Sequence, residues 1–70
     1  MAALSATTAP TLISGWLLVQ NLGPQVVYAD SSAAGTSSTG LKIEVNGVLE
    51  LRGMSVWVYT GTATADVRYL

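Results

Sequence analysis

Two glutamates, Glu44 and Glu50, are half of the carboxylates in this 70-residue chain, and they flank an Asn-Gly step in LKIEVNGVLELR, residues 41–52. Paired carboxylates are the tool of glycoside hydrolysis, which needs both facing one cleft at a set separation, with one kept protonated by burial. The register around the turn argues against that use. A two-residue loop at Asn46 and Gly47 would put Glu50 and Arg52 on the same face as Leu41 and Ile43, which breaks the aliphatic pattern. Counting Val45, Asn46 and Gly47 as a three-residue loop sets Ile43 against Leu49, Leu41 against Leu51 and Lys42 against Glu50, with Gly47 as the left-handed residue of a bulge. The expectation is a hairpin whose structural turn is Asn46 and Gly47 and whose open face carries a Lys42–Glu50 ion pair, with no catalytic residue in it.

Other reactive groups are scarce. Histidine and cysteine are both absent, so the side chain that titrates near neutrality and the strongest nucleophile are missing. Lys42 is the single lysine, and no SxxK motif precedes it. Asp30, followed by Ser31 and Ser32, offers oxygens to a cation, but one carboxylate among small residues reads as a turn cap. Trp16, Trp57, Tyr28, Tyr59 and Tyr69 could form a platform for sugar. In VWVYT, however, Val56 and Val58 alternate with Trp57 and Tyr59, so both faces of that strand are expected to be covered, by core or by another subunit. Asp66 and Arg68 share one face of ADVRYL and read as a solvated or inter-subunit ion pair. No enzyme activity, cofactor or metal site is expected.

The elements that carry these residues are short. Gly or Pro falls at positions 10, 15, 23, 24, 35, 40, 47, 53 and 61, and no stretch holds a helical apolar stripe. Runs rich in β-branched and aromatic residues lie at 16–22, 25–29, 41–45, 48–52, 54–60 and 65–70. The pattern predicts an all-β fold, a small antiparallel β-sandwich or barrel of about six to seven short strands. Residues 1–14 read as an extended N-terminal arm, free to add a strand to its own sheet or to reach a neighbouring chain. Residues 15–70 read as a single β-domain, with SSAAGTSSTG at 31–40 as a flexible loop.

Composition narrows the partners. Charged residues are 10% of the chain, against roughly 25% in ordinary soluble domains, while 50% are hydrophobic and the mean hydropathy is +0.47. A net charge of -1 from sparse, mixed groups makes no phosphate-binding patch, so nucleic acid is not an expected partner. No strictly apolar run, Trp16–Val19 included, comes near the ~20 residues that cross a bilayer, and no membrane partner is expected. No basic residue precedes Lys42, so the charged region of a secretory signal is missing and the chain reads as unprocessed. A domain of this size has a marginal core, and without disulfides or zinc it needs self-association or a partner.

The ordered set WLLVQNLGPQVVYAD, STGLKIEV, GVLELRG and WVYTGTATADVRYL resembles short virion proteins of tailed bacteriophages, over residues 15–70. The resemblance implies a compact antiparallel β-domain on the outside of a virion: a capsid decoration or cement protein bound to the major capsid protein, clustered at a symmetry axis, often as a trimer. It supplies no catalytic motif. The interface residues expected on this reading are Leu4 and Pro10 in the arm, with Trp16, Trp57 and Tyr69 as aromatic anchors. A tail, neck or baseplate module, or a carbohydrate-binding module using Trp16 or Trp57, are the alternative readings.

Overall fold

Eight strands are divided between two four-stranded antiparallel sheets in the computed structural model, which describes residues 1–36 and 38–70. In chain order they are β1 (Ala2–Ala6), β2 (Thr11–Ile13), β3 (Leu18–Pro24), β4 (Val27–Asp30), β5 (Leu41–Ile43), β6 (Val48–Glu50), β7 (Val56–Thr60) and β8 (Ala65–Tyr69). One sheet runs β1-β8-β3-β6 and the other β2-β7-β4-β5. The antiparallel pairs β1·β8, β2·β7, β3·β6 and β4·β5 are nested one inside the next. This is one long hairpin wound into two layers, the winding of a jelly roll. The fold is the expected all-β sandwich, with eight strands because residues 1–14 contribute β1 and β2, one to each sheet.

The core follows from the pleat. Inward positions carry Ala6, Val19, Ala65 and Val67 from the first sheet and Ile13, Val27, Ala29, Ile43 and Val58 from the second, all buried. They are small or β-branched, which suits a sandwich only 25 × 23 × 15 Å along its principal axes. Leu51 is the largest fully buried side chain, although it lies in the crossing after β6. Its position is held by the backbone: Leu51 N–H donates to the Leu17 carbonyl at 2.6 Å and Gly53 N–H to the Trp16 carbonyl at 2.8 Å. Arg52 (φ 54°) and Gly53 (φ 81°) then turn the chain, closed by Met54 N–H on the Leu51 carbonyl at 2.9 Å. Two successive left-handed residues are the signature of a type I′ turn.

The expected hairpin at residues 41–52 does not form. β5 pairs with β4 and β6 with β3, so the two strands belong to different sheets. Inward alternation is met equally by strands lying side by side and by strands stacked across a core, and face matching cannot tell these apart. The turn itself is real but different in kind. Gly47 N–H donates to the Glu44 carbonyl at 2.7 Å, and the left-handed residue is Asn46 (φ 68°), which fits a type II turn. Gly47 is needed for closeness: a Cβ there would stand 2.9 Å from the Glu44 carbonyl oxygen. The Lys42–Glu50 ion pair is likewise absent; Glu50 accepts from Arg52 Nε at 2.7 Å, between two exposed side chains.

Candidate interaction surfaces

At the junction of the two layers sits Asn21, a fully buried polar residue. β3 bulges between Asn21 and Gly23. The Asn21 side chain caps that irregularity: its Oδ1 accepts from Gly23 N–H at 2.8 Å, and its Nδ2 donates to the Gln25 and Ile43 carbonyls at 2.8 and 2.9 Å. Its backbone exchanges bonds with the turn, Asn46 N–H to the Asn21 carbonyl at 2.6 Å and Asn21 N–H to the Gly47 carbonyl at 3.0 Å. One amide therefore ties the bulge, the β3–β4 crossing and the β5–β6 crossing together. Sequence reading missed it because an asparagine beside a Leu-Gly-Pro run looks like an exposed turn residue. The clue was its spacing two residues after Val19, on the inward face.

On the outer face of the second sheet, Tyr59 stands opposite Tyr28 in the register, and the rings stack with centroids 5.7 Å apart. Tyr59 is nonetheless buried, because the described part of the 31–40 segment folds back over it. The Tyr59 hydroxyl donates to the Thr36 carbonyl at 2.7 Å, and the same carbonyl accepts from Gly40 N–H at 2.9 Å. Asp30 accepts from Ser32 N–H at 3.2 Å and from Thr39 Oγ1 at 3.3 Å, a loop-capping role. A Cβ on Gly35 or Gly40 would collide with the Tyr59 hydroxyl. The small residues of this segment allow close packing against Tyr59; Ser37, within it, lies outside the described residues.

Burial, and then the Asp30 carboxylate, push the Tyr59 hydroxyl above its ordinary ionisation range. A folded-state value raised above the unfolded one, near 10, means that the native state holds the proton more tightly. The resulting stability is fully present below about pH 10 and is lost as pH rises through the folded value. Tyr59→Phe is therefore expected to lower the midpoint of thermal unfolding at pH 7 by a few degrees, through the lost bond to Thr36. The gap should narrow above about pH 10, where the wild type loses its advantage. A gap that widens with pH would refute this account of the tyrosine.

The rest of that face carries Leu12 opposite Trp57, with Asp30 beside Trp57. Leu12 is exposed and Trp57 half-buried. The outer face of the first sheet is more apolar. Leu18 and Val48 are exposed there, and with Met1 and Leu70 they border a groove of about 120 Å³ that also includes Gln20, Arg68 and Tyr69. Leu22 is exposed at the bulge, farther along β3.

The expected anchors divide accordingly. Leu4 lies opposite Val67 and packs on the core. Trp16 and Tyr69 also pack on the core and meet edge to face, centroids 4.7 Å apart at 89°. Pro10 is half-buried in the β1–β2 crossing. Only Trp57 of the three aromatic anchors lies on an outer face, while Leu18 and Val48 went unrecognised in runs where apolar residues occupy both faces. Among the described residues, no group of three or more acidic, histidine or cysteine side chains is placed to hold a metal ion. No protein-family model, curated protein or solved structure matches the chain.

Proposed function

We propose that this chain is a structural virion protein that decorates or cements the exterior of a tailed-bacteriophage capsid by binding the major capsid protein, and that it works as a homo-oligomer without catalysing a reaction. The observation that carries the reading is apolar exposure on both outer faces of a thin sandwich. Among the described residues, ten large hydrophobic side chains stand exposed, including Leu12 on one outer face and Leu18 and Val48 on the other. A contiguous apolar patch such as that formed by Met1, Leu18, Val48 and Leu70 around one groove marks a site that meets protein. A structural piece that bridges neighbours needs two such faces; a pocket-based enzyme needs one concave site with convergent polar groups. The sequence resemblance supplies the virion setting.

Co-sedimentation tests it. The purified protein is expected to pellet with empty phage capsids lacking it, in many copies spread over the shell, and Trp57→Ala should weaken that binding. Failure to pellet, or copies confined to one ring at a single axis, would sink the decoration role. Binding on a glycan array that Trp57→Ala abolishes would favour the carbohydrate-binding module.

A further inference from the structure

We infer that the outer face of the β1-β8-β3-β6 sheet is a self-complementary interface, on which a second copy of this chain exchanges an Arg68–Asp66 ion pair. Both residues lie on β8, two positions apart and on the outward face, because Val67 between them is fully buried. They do not bond to each other: the one ion pair among the described residues is Arg52–Glu50. The register neighbours of Arg68 are Ala3 and Gln20, and those of Asp66 are Ser5 and Gly23, none of them charged. Arg68 makes a single side-chain hydrogen bond, a long one of 3.4 Å from Nη1 to the carbonyl of Val67. It is half-buried among Leu18, Val48, Met1 and Leu70. An arginine so placed has a forked donor with no carboxylate partner in a largely apolar setting, which is how an interfacial ion-pair partner looks before its carboxylate arrives.

The second copy is the occupant that fits. Opposite charges one pleat apart on one strand become complementary to themselves when two such faces stack about a two-fold axis that lies in the contact plane and crosses β8 at Val67. Rotation about that axis reverses β8 and sets each Arg68 over Asp66 of the other copy, two pairs per dimer, as an isologous interface requires. Sheets stack roughly 10 Å apart, a gap that an arginine and an aspartate can bridge between them. The surrounding leucines and Val48 exclude water, which strengthens the exchanged pairs. A face of about 25 × 23 Å is broad enough for a small interface of the usual kind.

Sedimentation of the purified full chain tests this without reference to capsids. Wild type is expected to dimerise. Arg68→Glu puts like charges across the axis, and Asp66→Arg does the same with the opposite sign, so each alone should weaken the dimer by more than about tenfold. An equimolar mixture of the two variants should dimerise again, since each supplies what the other lacks, and the doubly exchanged chain Asp66→Arg/Arg68→Asp should recover as well. Circular dichroism checks that every variant stays folded. A wild type that is monomeric or trimeric, or a mixture that stays monomeric, overturns the inference. It stands apart from shell binding: a monomer that pellets with capsids removes self-association and leaves shell binding, and a dimer that ignores capsids removes shell binding and leaves this interface.

Discussion

Asn21→Leu is expected to unfold most of the population at ambient temperature. The substitution keeps the volume and removes the amide, leaving Gly23 N–H and the Ile43 carbonyl without their partner in a buried site and the Gln25 carbonyl without its partner in a half-buried one. Each orphaned buried group costs about 1–3 kcal/mol. Three together approach the ~5 kcal/mol at the low end of natural stabilities, where a chain this short belongs. Asn21→Asp should be no milder, because a carboxylate would face two carbonyl oxygens and lose both donors. Denaturant titration followed by circular dichroism measures it. A midpoint for Asn21→Leu within a few tenths molar of wild type would show that the two crossings are held by something other than this amide.

Leu51→Ala is the second large effect, expected to cost about 2–5 kcal/mol in the same titration. Leu51 is the largest side chain at full burial, within a core made mostly of valines, alanines and isoleucines. The site cannot relax easily, since the Leu51 amide is fixed to Leu17 and the following turn leads straight into β7. Leu51→Met, which preserves volume, should lose less than about 1.5 kcal/mol. Equal losses for the alanine and methionine variants would mean that the position tolerates no change of shape, and that cavity formation is not the cause.

These two residues also show what could be read in advance. The all-β class was legible, because β-branched runs and frequent Gly and Pro leave no other regular structure. The inward face of β8 was legible too, from the alternation of Val67 and Tyr69 with Asp66 and Arg68, whereas both faces of β7 read as covered. Which strands would be neighbours was not. Leu41, Ile43, Leu49 and Leu51 fit a hairpin and a stacked pair of layers equally well, and the deciding bonds run through the backbone of Asn21 and Leu17, which composition cannot show. Leu41, for all its apolar character, is 64% exposed on an edge strand. The candidate surfaces were half visible: Trp57, and the shared face of Asp66 and Arg68, could be placed from spacing. Leu18 and Val48 could not, since apolar residues occupy both faces of their runs and only the fold decides which face points out.

The nested pairing has a consequence in time as well as in space. Among the described residues, β4 and β5, joined by the 31–40 segment, are the only hydrogen-bonded strands consecutive along the chain, and every other nested pair encloses the pairs inside it. Joining β1 to β8 directly from an open chain would close nearly all of its length in one step. Once the inner pairs are made, each remaining closure spans only a connecting turn, and the entropy of the chain is surrendered in small portions. The winding therefore favours assembly from the middle outwards, and the first and last strands, which carry Leu4, Asp66 and Arg68, are the last to find their places.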